Sequence, residues 1–308
     1  MILQVTKAEK DITNSASFAL ASKVKDYFQL IKFTLTFMVV FSSVVCYLLV
    51  PGIRFNVLEV LLLFISGILI TGSANAINQA VEKDTDAVMK RTANRPVAAG
   101  RMTVQDAWTF AFITGLLGVV LMGFKFNWES AALGLFSLVL YAFIYTPLKK
   151  INSISVLIGA FPGALPCLIG WVAGFYDKEI LWTGGLVLFA IQFLWQFPHF
   201  WAIAWVSHKD YTKAGFKLLP STSGPTKFTA LQTIMYSMLM IPVGLLPYYF
   251  HISGSVSLWI VLGCNIWMVA MSVMLFIKMD VKAARMVMFS SYFYLMIVLL
   301  SLLFDKIR

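Results

Sequence analysis

The sequence predicts an all-α fold, a polytopic membrane helix bundle of nine transmembrane helices. Three observations carry that expectation. Of the 308 residues, 60% are hydrophobic and only 12% are charged, against roughly 45–50% and about 25% in an ordinary soluble domain. The mean hydropathy is +0.83. Apolar stretches of about 20 residues, the length a spanning helix needs, recur along almost the whole chain. Soluble globular, disordered and nucleic-acid-binding classes are excluded together, and little length remains for a separate soluble domain.

The expected organisation is a polar cytoplasmic N-terminal tail over 1–28 and a single nine-helix transmembrane domain over 29–308. The first 26 residues carry Lys7, Glu9, Lys10, Asp11, Lys23, Lys25 and Asp26. They lack the short apolar core of a secretory signal, so the chain is expected to insert through its first span and keep the tail. Spans are placed at 29–50, 57–78, 104–124, 128–146, 153–175, 180–206, 228–249, 256–277 and 284–304. The fifth is interrupted by Pro162, Gly163, Pro166 and Gly170, and the seventh by Pro242 and Pro247. Such breaks are tolerated where neighbouring helices or cavity water satisfy the freed backbone groups. The eighth, with Cys264 and Asn265, and the ninth read as packing helices. Cys46, Cys167 and Cys264 lie far apart with no Cys-x-x-Cys pair, so they too read as packing residues.

The net charge of +10 is explained by the enrichment of Lys and Arg in cytoplasmic loops. With the N-terminus inside, nineteen basic residues fall on that side, and only Arg54, Lys125, Lys178, Lys306 and Arg308 fall on the other. The expectation is a multi-pass protein of the cell (inner) membrane with a cytoplasmic N-terminus. Two long loops, 79–103 and 207–227, then emerge on the cytoplasmic face.

The richest segment runs from Asn75 to Pro96. Asn78, Glu82 and Asp86 are spaced i, i+4, i+8 and stack along one face of a helix. Asp84 points elsewhere unless the helix has ended. Carboxylates repeated up one face repel unless a cation bridges them. Mg²⁺ commonly takes one or two carboxylates together with substrate phosphates. Lys90, Arg91 and Arg95 follow closely enough to hold phosphate oxygens. The segment therefore reads as a Mg²⁺–diphosphate cradle, or else as a solvated loop of mixed charge.

Spans four and six end on the same side as span two. Span four closes on Tyr145, Lys149 and Lys150, and span six on Gln192, Gln196, Pro198, His199 and Trp201. Gln192, Gln196 and His199 share a nominal face, and Pro198 frees the carbonyl of Leu194. Polar groups inside a span are costly and usually face a cavity or the bundle interior. That face is either the wall of a lipid-accessible pocket or a kinked helix holding its neighbours. His251, in a short loop on the other side, is assigned no role.

At these residues the sequence resembles the membrane-embedded prenyltransferase superfamily of the UbiA type. Asn78, Glu82 and Asp86 match its first motif, Asn-x-x-x-Asp-x-x-x-Asp, with Glu in the middle place. Tyr145 with Lys149 and Lys150 looks like its Tyr…Lys-Arg segment. Met89-x-Arg91-Thr92-x-x-Arg95-Pro96 and the run Pro198-His199-Phe200-Trp201, Lys209-Asp210-Tyr211, Ala214-Gly215 resemble the protoheme IX farnesyltransferase branch. The resemblance covers essentially the whole chain.

It implies a UbiA-like fold with Mg²⁺ held by Asn78, Glu82 and Asp86. Diphosphate would be held by Lys90, Arg91, Arg95, Tyr145, Lys149 and Lys150. A second motif and acceptor pocket would be built from Gln196, His199, Trp201, Lys209 and Asp210. The implied substrates are farnesyl diphosphate and protoheme IX. The implied surroundings are the lipid bilayer and a downstream heme-modifying enzyme or oxidase assembly factors, with no nucleic acid. Transfer to a quinone precursor is a rival within the same fold. Transport is a remoter one, because the broken spans carry no Asp, Glu, Lys or Arg inside them.

Overall fold

The computed structural model describes residues 21–176, 178–221 and 223–307. Its first span is a bent pair, not a straight helix. α1 (Ala21–Leu30) and α2 (Phe33–Leu48) meet at 54° across Ile31 and Lys32. The polar tail expected over 1–28 overlaps the start of this pair. Lys7, Glu9, Lys10 and Asp11 lie outside the described residues, but from Ala21 onward the chain is helical and docked. Val24, Tyr27 and Phe28 recur at helical spacing. The Tyr27 ring packs 5.2 Å from Phe110, and Arg101 Nε donates to Asp26 at 2.9 Å.

Then follow α3 (Val57–Val81), the short α4 (Lys83–Ala87), α5 (Val104–Lys125) and α6 (Trp128–Leu148). α7 (Ser155–Ala173), α8 (Trp182–Val206), short α9 (His208–Lys213), α10 (Lys227–Tyr249), α11 (Ser255–Lys278) and α12 (Val281–Phe304) complete the described chain. Among the described residues eight helices have spanning length and composition, and the α1–α2 pair, counted as one span, makes a ninth. Local sequence sets several starts. The side chain of Asn56 caps α3, Asn127 caps α6 and Asp280 caps α12, while Thr103 and Asp106 form a capping box on α5.

α2 and α7 lie at the centre and belong to both apolar clusters. One cluster gathers α3, α5 and α6 around them, and the other gathers α8, α10, α11 and α12. Helix association in lipid rests on close van der Waals packing at small residues. A β-carbon at Gly170 would run into the carbonyl of Ser43, so α7 meets α2 backbone to side-chain-free surface. The prolines of α7 are accommodated as expected. Pro166 has no N–H for the Pro162 carbonyl, which instead accepts from Ser137 Oγ at 3.3 Å. In α11, Asn265 donates to the Met240 carbonyl at 3.0 Å and accepts from the Tyr294 hydroxyl at 2.8 Å, in keeping with a packing helix. The three cysteines are buried and unbridged.

Replacing Gly170 by Ala is expected to cost about 1–3 kcal/mol through overpacking against backbone that cannot yield. That exceeds the gain of about 1 kcal/mol in helix propensity. Thermal unfolding in detergent reads the loss. Gly263→Ala, where a β-carbon meets open space, is the control and should not lower the midpoint.

Candidate functional site

The site begins at the break in the first span. The last carbonyls of a helix have no partner within it. Here α3 supplies them: Gln79 Nε2 donates to the carbonyls of Gln29 and Leu30 at 2.8 and 3.0 Å, and Asn75 Nδ2 to that of Ile31 at 3.2 Å. Thr36 Oγ1 also donates to Ile31, at 2.6 Å. So capped, the chain turns through Lys32, which adopts a left-handed conformation at φ 50°. Its ammonium reaches inward and donates to Asn78 Oδ1 at 2.7 Å. Asn78 Nδ2 donates onward to Thr146 Oγ1 at 3.1 Å, tying α3 to the end of α6.

α3 ends at Val81, and Glu82 sits at the junction with α4. The three motif residues therefore lie along a broken helix, with Asp84 exposed to solvent. All three are buried, at 1% exposure for Asn78, 5% for Glu82 and 0% for Asp86. Each faces one cation. Lys149 Nζ lies 2.5 Å from Glu82 Oε1, although that oxygen makes no contact of hydrogen-bonding geometry. Arg95 Nη1 donates to both Asp86 oxygens, at 2.8 and 2.7 Å.

Lys149 is delivered by a distortion in α6, where residues Leu140–Tyr145 form a π-helical stretch. Pro147 has no N–H for the carbonyl of Phe143, and Thr146 Oγ1 donates to the Tyr141 carbonyl at 2.9 Å. π-Bulges of this kind frequently mark functional sites. The Lys149 ammonium then lies 5.0 Å from the ring centres of both Tyr145 and Phe216.

Phe216 belongs to the loop after α8, which lies across the site. Lys217 N donates to the Lys149 carbonyl at 2.7 Å. Arg91 Nη2 donates to the Tyr211 hydroxyl at 2.7 Å, with the guanidinium 5.4 Å from that ring's centre. The two long loops therefore do meet on one side.

Of the residues singled out in sequence, the structure assembles Asn78, Glu82, Asp86, Arg91, Arg95, Tyr145 and Lys149. Lys90, Lys150 and Lys209 are exposed and Asp210 half-buried; among the described residues none of the four makes an ion pair or side-chain hydrogen bond. Lys32 was missed. Its signal was a lone lysine inside an apolar span, one position before a phenylalanine rather than beside other charges.

Gln196, His199 and Trp201, expected in one acceptor pocket, face three different helices. Gln192 and Gln196 turn to α7, donating to the carbonyls of Gly163 and Ala160 at 2.8 and 2.9 Å. They can do so because Gly163 has no side chain, and a β-carbon there would overlap Gln196 Oε1. Trp201 turns to α10, its ring 5.1 Å from Tyr236. His199 turns to α12, where its Nδ1 lies 2.7 Å from Ser291 Oγ. Among the described residues no group of three His, Cys, Asp or Glu side chains converges as a ready metal site. Any cation held here rests on Glu82, Asp86, the Asn78 amide and ligand oxygens.

Comparison with known proteins decides the class. Residues 39–297 match the UbiA prenyltransferase family. The chain belongs to that family. It is a membrane-embedded prenyltransferase. A protein of Cytophaga hutchinsonii named protoheme IX farnesyltransferase is 46% identical over 94% of the chain and all of its own length. One of the same name from Flavobacterium psychrophilum is 40% identical over 91% of the chain and 94% of its own. Among solved structures, a digeranylgeranylglyceryl phosphate synthase superposes with a TM-score of 0.76 at 21% identity, covering 92% of this chain and 98% of that one. A UbiA homolog from Archaeoglobus fulgidus bound to GPP and Mg2+ superposes at 0.64 with 15% identity, covering 90% of this chain and 99% of that one. These two likenesses establish the fold alone.

Tyr211→Ala removes the hydroxyl and ring that hold Arg91. A loss of about 1 kcal/mol at this exposed contact should speed amide exchange in residues 207–219 about fivefold. Exchange in α8 should stay unchanged, and mass-resolved hydrogen exchange separates the two segments.

Proposed function

We propose that this prenyltransferase moves a farnesyl group from farnesyl diphosphate to a vinyl group of protoheme IX, with addition of water. The observation that carries the donor half is the interleaving of two buried carboxylates with Lys32, Lys149 and Arg95. Without ligand, Lys149 and Arg95 pair with the motif carboxylates, and Lys32 donates to the Asn78 amide oxygen. With a polyanion present, the same cations have a stronger partner. The acceptor half rests on the relatives at 46% and 40% identity.

The residues fit a magnesium ion. Glu82 Oε1 is buried with no hydrogen bond, and the oxygens of Asp86 and Asn78 lie along the same face. Asn78, Glu82 and Asp86 would hold Mg²⁺, which when bound supplies positive charge opposite a leaving diphosphate. Arg95, Lys149 and Lys32 bind and orient the diphosphate oxygens, and Arg91 reaches them from the loop. Their charges stabilise the negative charge that develops as the allylic C–O bond breaks and diphosphate leaves with the bonding electrons. The vinyl group attacks the farnesyl cation, forming a C–C bond. Water then captures the new cation at the other vinyl carbon and loses a proton to solvent. The apolar bundle excludes water from the allylic cation until that attack. His199, with Trp195 stacked on it at 4.7 Å, places the porphyrin.

The wider reading includes one transmembrane domain over 29–308, a cytoplasmic N-terminus and a site on the cytoplasmic face of the inner membrane. The excess of basic residues on that side supports it.

Purified protein given farnesyl diphosphate and protoheme IX should yield a product heavier by one farnesyl group and one hydroxyl. Mass analysis detects it, and a quinone precursor offered in place of protoheme should not be consumed. Prenylation of the quinone precursor alone would overturn the acceptor assignment. Asp86→Ala, or excess chelator, should abolish turnover; full activity in either would overturn the metal assignment.

Lys32→Met should weaken binding of farnesyl diphosphate by about 1.5–3 kcal/mol, the worth of a charge-assisted contact. A calorimetric titration would then give a Kd raised at least tenfold. An unchanged Kd would place Lys32 outside the cradle.

A further inference from the structure

The residue that sets the chemistry of His199 lies on another helix. Ser291, on α12, has its hydroxyl oxygen 2.7 Å from His199 Nδ1 and 2.6 Å from the carbonyl of Met288. A hydroxyl has one proton to give. The Met288 carbonyl can only accept, and Ser291 lies at donating distance from it. With the hydroxyl proton given to that carbonyl, the Ser291 oxygen accepts from the ring, and the hydrogen of the neutral imidazole sits on Nδ1. Nε2 is left with a bare lone pair, and among the described residues it has no hydrogen-bond partner.

The ring is also fixed in orientation. Trp195 stacks on it at 18° with ring centres 4.7 Å apart. Trp195 is itself anchored, because its Nε1 donates to the Ser291 carbonyl at 2.7 Å. Tyr292 and Phe200 close on the ring edge-on at 5.1 and 5.3 Å. His199 is 7% exposed. Moving its proton to Nε2 would set a nitrogen lone pair against an oxygen whose proton is already spent, and flipping the ring would put a carbon there and lose the contact. A residue whose backbone and side chain both serve one histidine has a role beyond filling space.

A fixed imidazole with its Nδ1–H on an oxygen and its Nε2 bare is the state in which histidine ligates metal. Proximal histidine is a common axial ligand of porphyrin iron.

We infer that Ser291 is a positioning residue: it holds His199 as the Nδ1–H tautomer so that Nε2 ligates the iron of the bound acceptor. The inference rests on the protoheme acceptor proposed above. The full chain in nanodiscs, titrated with ferric protoheme, tests it by affinity and by optical and resonance Raman spectra. Ser291→Ala should weaken protoheme binding about tenfold or more, the usual effect of losing a partner behind a metal ligand. It should also lower the iron–histidine stretching frequency of the ferrous form. Ser291→Thr, which keeps the hydroxyl, should restore both. Binding of farnesyl diphosphate should be the same in all three proteins.

Unaltered affinity and spectra in Ser291→Ala would overturn the inference, and so would an unaltered spectrum in His199→Ala. Nitrogen resonances of ¹⁵N-labelled histidine in the unsubstituted, heme-free protein give a test free of folding effects. A protonated Nδ1 and bare Nε2 for His199 support it, and the reverse tautomer overturns it. Wild-type protein that binds quinone precursor but no protoheme would instead refute the acceptor reading, and this inference with it.

Discussion

Everything at the site depends on how α3 closes the broken end of α1. A helix interrupted inside an apolar bundle leaves carbonyl groups with no water to satisfy them, and each orphan costs several kcal/mol. Asn75 and Gln79 cover the carbonyls of Gln29, Leu30 and Ile31. The polar residues of α3 are therefore not only ligands in waiting. One subset holds the break open, so that Lys32 can leave the helix at φ 50° and point toward Asn78. Straightening the first span would withdraw that lysine from the cluster and leave Asn78 without its cation.

The second constraint is electrostatic. Glu82 and Asp86 are buried one helical turn apart, and a buried carboxylate left unpaired costs several kcal/mol even after relaxation. The fold answers with one cation from each of three directions: Lys32 from the break in the first span, Lys149 from the end of α6, and Arg95 from the loop after α4. At an effective dielectric of about 20, two unit charges 4 Å apart interact by about 4 kcal/mol. On the function proposed above, a metal and a polyanion would exchange partners of comparable strength here and would not need bare charges beforehand. That exchange is what a site needs if it is to be stable empty and receptive when filled.

Much of this was legible in the sequence because hydropathy and residue spacing are local properties. All nine spans, the acidic face, the basic followers and the proline breaks of α7 could be read directly. What could not be read depends on long-range contacts. The bend at Lys32 needs acceptor and donor groups 44 to 50 positions apart. The π-helical stretch of α6 leaves no periodic signature, since its apolar residues suit an α-helix equally well. Gln196, His199 and Trp201 sit within six positions, yet each turns to a different helix, because each finds its own partner on α7, α12 or α10. Helical geometry assigns a side chain to a sector and leaves the partner to the neighbouring helices. Lys90, Lys150, Lys209 and Asp210 show the opposite case, with no ion pair or side-chain hydrogen bond among the described residues. Charge in a loop is inexpensive, and nothing in the sequence distinguishes a solvated charge from one drawn inward.

The loop after α8 shows how a site can do without a second acidic cluster. Asp210 does not turn inward, and the cations facing this loop are met by aromatic rings instead: Arg91 by Tyr211, and Lys149 by Tyr145 and Phe216. A π-face attracts a cation by roughly 0.5–2 kcal/mol, well below the interaction with a carboxylate at the same distance. Such partners orient both cations; Lys149 is in addition paired with Glu82, whereas among the described residues Arg91 is held by the ring and hydroxyl of Tyr211 alone. Asp86 and Glu82 hold the opposite side of the cluster. The arrangement is therefore polarised, with acids toward α3 and α4 and aromatic-held cations under the loop. A ligand carrying its own negative charge would compete with those acids for the same cations.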